Sequence, residues 1–358
     1  MKRYYILFLL TFFLLAACNG SGSDGEATAD IPPSPPAESL SDEANLPPPE
    51  KEEETPEPNV ELTRVRLPMG FIADPQYAPF YVAAEKGYFA EGGFEVEFDY
   101  SFETDGVQLV GNGDLPFAIV SGEQVIMARA QEIPVVYILE WFQDFPIAVI
   151  SRANAGIEEP ADLAGRSVGI PGFFGASYVG YVGLLSANNL QESDVNTSEI
   201  GFSQVEAFLT NQVDAVVGYA NNEPLQLAAQ GEEINVIQVS DYVDMVANGI
   251  ITNETFMAEN PNQVEAFVRA VLRGLADTLA EPDAAFEISK KYVEGLDDGR
   301  RNVLEASLEL WEAETLGVTD PASWEQTQEI LLQINFIDGP LDNLEAAYTN
   351  RFVLAAQP

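Results

Sequence analysis

From Leu62 onward the chain alternates short apolar runs of strand character with helical stretches, and this alternation restricts its fold more than any other feature. Residues 65–69 read as a strand, 79–86 as a helix stopped by Gly87, and 95–100 as a half-buried strand of alternating acidic and apolar residues. Thr104 or Asp105 is placed to cap a helix running through Val110. A buried strand follows at 117–120, Ser121 caps a helix over 122–130, and 135–141 is the next strand. The pattern restarts after Arg152. Strands are predicted at 167–170, near 197–201, and at 214–219, 236–239 and 249–252, with helices at 160–163, 178–188, 204–211 and 223–230. From residue 262 the chain is mostly helical, with Trp311 and Trp324 as packing anchors. Repeated strand–helix units need crossover connections, so the expected class is α/β, with mainly parallel sheets and helices on both faces.

Composition then removes whole classes of function. The chain has 16 Lys plus Arg against 58 Asp plus Glu, a formal net charge of -42. Phosphate backbones need clustered cations, so no nucleic-acid partner is expected. The sequence contains 0 His. Serine–histidine, cysteine–histidine and histidine–zinc sites are thereby ruled out, and neither catalytic residues, nor a metal site, nor a cofactor is expected.

The single cysteine, Cys18, cannot form an internal disulfide. Its position is informative. Lys2 and Arg3 precede an apolar run over residues 4–17, too short to span a bilayer as a helix but suited to a signal-peptide core. The run ends Leu15-Ala16-Ala17-Cys18, which resembles the bacterial lipobox. Residues 1–17 are therefore read as a cleaved signal peptide and Cys18 as the lipidated residue, giving a protein anchored on the extracytoplasmic face of the cell membrane. Residues 18–61 hold no aromatic side chain and many Pro, Ser and Glu. They read as a disordered tether that at about 3.1 Å per residue could reach on the order of 100 Å.

Several motifs occur in a telling order. Residues 70–83 (GFIADPQYAPFYVA) lead into Glu85-Lys86-Gly87-Tyr88-Phe89. They are followed by Phe102-Glu103-Thr104-Asp105-Gly106, by Ala118-Ile119-Val120-Ser121-Gly122-Glu123-Gln124 and by Ala128-Arg129-Ala130. Residues 165–172 (GRSVGIPG) and 218–224 (GYANNEP) complete the set. Together they resemble type 2 periplasmic binding proteins of ABC importers, and within them the thiamine-pyrimidine-precursor group, which includes formylaminopyrimidine-binding and riboflavin-binding lipoproteins. The resemblance covers nearly everything after Leu62. It implies two lobes joined by a hinge, one of residues 62–150 plus 242–358 and one of 151–241. It also implies a small-molecule ligand held between them, and a permease with its ATPase as partners. Eukaryotic relatives of the fold build the thiamine pyrimidine with a histidine and a lysine-bound pyridoxal phosphate, and this chain has no histidine to offer.

In open α/β sheets ligands lie beyond the carboxyl ends of the strands. The loops there span residues 74–77, 102–105, 121–124, 141–145, 171–177 and 219–223. Tyr77, Trp141, Tyr178 and Tyr219 offer planar faces for a ring, while Phe80, Phe117 and Phe145 are assigned to the core. Gln76, Glu103, Asp105, Ser121, Glu123, Gln124, Asn222 and Glu223 offer polar partners, although any of these acids could equally sit on a solvated loop and Ser121 could serve only as a cap. Gly175 and Ser177 lie in a glycine-bearing turn whose backbone N–H groups could cradle an oxygen, or which could be a plain strand–helix turn. No Lys or Arg occurs between Ser167 and Val268. A second lobe so poor in cations disfavours sulfonate or nitrate and favours a neutral, planar, hydrogen-bonding solute. Riboflavin is the first choice and a formylated or hydroxymethyl aminopyrimidine the alternative. As a test of the anchor, Cys18→Ser is expected to release the protein from membranes or leave its precursor unprocessed, read by fractionation and mass. A variant that stays processed and membrane-bound would refute the lipobox reading.

Overall fold

The computed structural model describes residues 62–357, so the signal peptide, Cys18 and the tether lie outside the described residues. The strands are β1 (Thr63–Gly70), β2 (Phe94–Phe102), β3 (Ala118–Ser121), β4 (Val135–Glu140), β5 (Ile147–Arg152), β6 (Ser167–Ile170), β7 (Asn196–Glu199), β8 (Ala215–Tyr219), β9 (Ile234–Gln238) and β10 (Asn248–Asn253). One lobe is built on the parallel pair β1–β2 and on β10 running between β3 and β4. The other is built on a sheet of order β7-β6-β8-β5-β9.

Parallel pairing holds where a helix joins neighbouring strands. The helix Ala78–Glu85 lies between β1 and β2, and Gly175–Ala187 between β6 and β7. β5 and β10 behave differently. Each is the strand on which the chain enters a lobe, and each runs antiparallel to both neighbours, β8 and β9 or β3 and β4. The sheets are consequently mixed, with parallel strands flanking an inserted antiparallel one.

β5 is the element the sequence pattern passed over. Only residues 141–146 separate it from β4, with no helix between to mark a new strand. The lobe boundary expected at 150/151 falls inside it, yet every residue from Ile147 to Arg152 pairs with β8 or β9. Two helix starts also differ from expectation. The helix after β2 begins at Glu103 behind Phe102, so Thr104 and Asp105 lie inside its first turn and neither caps it. The helix expected from 178 already starts at Gly175.

The core forms as the apolar pattern requires. Phe117 stacks on Phe267 with ring centroids 4.0 Å apart, and Phe94 meets both edge-on. Trp324 stacks on Tyr348 at 4.8 Å, and Trp311 and Trp324 are fully buried, as are Phe80 and Phe117. Burying one such side chain stabilises the fold by about 1.5–3 kcal/mol. β10 leaves little room. A Cβ on Gly249 would lie 2.1 Å from Tyr137 Oη and 2.2 Å from the Leu139 carbonyl oxygen. Tyr137 is itself held in place, its hydroxyl donating to the Ala247 carbonyl at 3.1 Å. Gly249→Ala is therefore expected to destabilise the protein by about 1–3 kcal/mol through overpacking, measured as a lower midpoint in denaturant. An unchanged midpoint would mean the strand yields where this packing says it cannot.

Candidate ligand cleft

Between the lobes lies an inner chamber of about 380 Å³, within the range of small-molecule pockets, about 300–1,000 Å³. All six loops expected at the carboxyl strand ends reach it. Its wall carries eight aromatic side chains: Phe71, Tyr77, Phe102, Trp141, Phe142, Phe174, Phe202 and Tyr219. None of its lining residues is Lys or Arg.

Trp141 forms the floor. It is 2% exposed, stacked on Tyr77 at 5.3 Å and met edge-on by Phe80 at 5.1 Å. Tyr77 is fixed in turn, because its hydroxyl donates to the Met69 carbonyl at 2.7 Å. The indole N–H of Trp141 is buried and has no protein acceptor. An orphan donor of this kind costs free energy unless something in the cavity accepts from it. At the mouth Phe202 crosses from the second lobe, 5.8 Å from Phe71 and 6.3 Å from Phe102, the latter pair nearly parallel at 18°. Phe102 and Phe202 are more than half exposed.

The polar side centres on Asn248, the first residue of β10. Its side-chain N–H₂ donates to Glu103 Oε1 at 3.2 Å, and its Oδ1 accepts from the Tyr219 hydroxyl at 3.4 Å. Glu103 leads back to a buried acid pair. Ser121 Oγ lies 2.7 Å from Glu103 Oε2 and 2.5 Å from Glu123 Oε1. A hydroxyl carries one proton and donates to one acceptor, so the second short contact needs a proton on a carboxyl. Burial, helped by the neighbouring Glu103 charge, pushes Glu123 up to about 8, and burial raises Glu103 as well. Geometry and burial thus both favour a protonated carboxyl in this pair. On the opposite wall Glu223 Oε2 accepts from the Tyr219 backbone N–H at 2.7 Å, and burial raises this acid to about 7.

Ten of the candidates named from sequence come together on the inner wall: Gln76, Tyr77, Glu103, Gln124, Trp141, Gly175, Ser177, Tyr219, Asn222 and Glu223. Ser121 and Glu123 sit one layer behind it, with Glu103 as the acid that faces the cavity. Ser121 holds the N-cap position of Gly122–Ala130, but its hydroxyl is spent on the acids and caps nothing. Asp105 is exposed and lines neither chamber. Tyr178 points away, its hydroxyl donating to Glu192 at 2.6 Å and its ring packing on Phe173 and Phe336. Sequence reasoning missed Phe71, Phe174, Phe202, Gln204 and Asn248. Beyond the partition of Phe71, Phe102 and Phe202 a second, more open chamber of about 1010 Å³ shares Asn222, Glu223 and Gln204 with the inner one.

Comparison with known proteins places this geometry. The NMT1/THI5 like family model matches residues 74–285. The chain is 42% identical over 312 residues to the riboflavin-binding protein RibY of Chloroflexus aurantiacus, covering 83% of this chain and 89% of that protein. It is 30% identical over 234 residues to a formylaminopyrimidine-binding protein of Halalkalibacterium halodurans, 63% of this chain and 70% of the relative. A 4-amino-5-hydroxymethyl-2-methylpyrimidine phosphate synthase of Aspergillus parasiticus is 24% identical, over 78% of this chain and 84% of its own length. Among solved structures, the periplasmic aliphatic sulphonate binding protein SsuA of Escherichia coli superposes with a TM-score of 0.67 at 14% identity, over 81% of this chain and 98% of its own. That likeness establishes the periplasmic binding protein fold.

The buried acids make stability depend on pH. Glu123, raised to about 8 in the folded state from 4.5, binds a proton that the unfolded chain has already lost between those values. The folded state then holds more protons, so stability falls as pH rises through that window. Glu140, also raised to about 8, and Glu223 act in the same direction. Glu123→Gln keeps a neutral side chain at every pH. Melting temperatures measured from pH 5 to pH 8.5 are expected to fall less steeply for this variant than for the wild type. Parallel curves would contradict a protonated Glu123.

Proposed function

The chain belongs to the NMT1/THI5-like family, and from that premise we propose that it captures riboflavin outside the cytoplasmic membrane and hands it to an ABC importer. It is a substrate-binding protein of that group. The observation that carries the ligand assignment is the inner chamber itself: eight aromatic walls, an unpartnered indole donor, and no Lys or Arg. A neutral polycyclic heterocycle uses all three. Its faces stack on the half-exposed rings of Phe102 and Phe202, and an edge acceptor meets the Trp141 N–H. Its polar edge meets Glu223, Glu103 and the amides of Gln76, Gln124 and Asn248, which both donate and accept. The 42% identity to a riboflavin-binding protein supports this reading. The relative that binds formylaminopyrimidine keeps a smaller ring as the second reading.

Membrane anchoring through a lipid on Cys18, with the signal peptide removed before it, belongs to the same proposal. So does the absence of turnover. The family includes synthases, but this chain has 0 His and so lacks the residue on which their resemblance-implied chemistry relies.

Titration of the purified full-length protein with riboflavin is expected to quench flavin fluorescence and give a yellow protein, while a pyrimidine would raise the melting temperature without colour. Phe202→Ala is expected to weaken riboflavin binding by about 0.5–1.5 kcal/mol beyond the loss of buried area, with folding intact. The ligand recovered after incubation should have unchanged mass. A melting shift with an alkanesulfonate or nitrate, and none with either heterocycle, would overturn the ligand class.

A further inference from the structure

The outer chamber contains one cation, and that cation is already engaged. Arg300 reaches it from the segment before the helix Arg301–Trp311 and pairs with Asp74. Asp74 is fully buried, and its other oxygen accepts from the Gln76 backbone N–H at 3.0 Å, closing the single turn Pro75–Tyr77 that presents Gln76 and Tyr77 to the inner chamber. The remaining charged side chains on the outer wall, Glu206, Glu223 and Asp297, are all acids. Between them stand neutral hydrogen-bonding groups: Gln204, Gln226, Gln230 and Asn302.

We propose that the outer chamber is a specificity filter that takes an uncharged, hydroxyl-bearing extension of the ligand and rejects the phosphate ester of the same ligand. The inference rests on the inner chamber holding the aromatic ring. With the ring there, any substituent directed past Phe102 and Phe202 enters the outer chamber. Hydroxyl groups find amide side chains that donate and accept. A phosphate finds no free cation. Arg300's charge is already offset by buried Asp74, so a phosphate reaching its remaining N–H groups meets a neutralised pair rather than a free cation. The acids around it repel a dianion, and apolar walls strengthen the repulsion. For a flavin this means selection of riboflavin over riboflavin 5′-phosphate. For a pyrimidine it means selection of the hydroxymethyl compound over its monophosphate.

The test is calorimetric titration of the full-length protein with both members of each pair. The alcohol is expected to bind about 100-fold or more tightly than its phosphate, with the ratio shrinking as salt is raised. Asp74→Asn frees Arg300 and is expected to cut the ratio by about tenfold, as a guanidinium–phosphate contact replaces a buried pair. Should that variant fail to fold, Glu206→Gln combined with Asp297→Asn removes two exposed acids and is expected to narrow the ratio several-fold. A wild-type phosphate ester that binds as well as its alcohol overturns the filter and leaves the ring assignment standing. Pyrimidine binding with no flavin binding removes riboflavin as the ligand while the pyrimidine pair still decides the filter. Failure of all four compounds overturns both inferences.

Discussion

Asn248 is the joint on which the cleft depends. Its backbone carbonyl accepts from two successive N–H groups, Trp141 at 2.9 Å and Phe142 at 3.0 Å. The segment leaving the first lobe is thereby tied to the segment re-entering it. The same residue's side chain reaches Glu103 in the first lobe and Tyr219 in the second. One residue thus sets the height of the aromatic floor, the position of the cavity-facing acid and the approach of the opposite wall. The second crossing is stiffened alongside it, where Glu140 Oε1 accepts from the Ala247 N–H and Thr327 Oγ1 from the Val246 N–H, both at 3.0 Å. A lobe movement of the kind the fold allows would pivot about this hydrogen-bonded pair of crossings.

In a chain with a formal net charge of -42, the acids inside the cleft need not all be charged. Burial achieves this. Ser121 bridges Glu103 and Glu123, which calls for a proton on one carboxyl, and burial raises Glu223 to about 7. A protonated carboxyl donates as well as accepts, so the cavity gains donors without acquiring a cation. Where an acid does stay paired, at Asp74, a cation from a distant segment is committed to it. The cation of the cleft is thus committed to a protein carboxylate rather than free for a ligand.

The alternation of strand and helix made most of the fold legible, and the six loops expected beyond the carboxyl strand ends all reach the inner chamber. That expectation also explains what was missed. β10 is antiparallel to β3 and β4, so its amino end, with Asn248, lies where the carboxyl ends of its neighbours do. A strand read as parallel hides that residue. Helical phase explains two further errors. Glu103 opens its helix facing the cavity, and Asp105, two residues and about 200° on, faces solvent. Ser177 lines the chamber while Tyr178, the next residue of the same helix, turns toward Glu192. Phe202 carried no local signal of its own. It follows β7 on a short loop, and only the second lobe's placement opposite Phe71 and Phe102 gives it a role.

The excess surface charge and the cation-free ring chamber have a common consequence for capture. The neutral solute proposed here would feel no long-range field, so the protein's charge would neither steer it in nor keep it out, and the grip would come from short-range stacking and hydrogen bonding. Surface charge is then free to serve the protein's relation to its surroundings. Under the proposed anchoring at Cys18, a strongly acidic domain on a proline-rich leash would be repelled by anionic lipid and held at the reach of its tether rather than lying on the membrane. Approach to a permease would have to overcome that repulsion through specific contacts. Under the same proposal, the acidity that would disperse the free binding domain would also place the cost of docking on the transporter's surface, where cations complementary to the lobes would be needed.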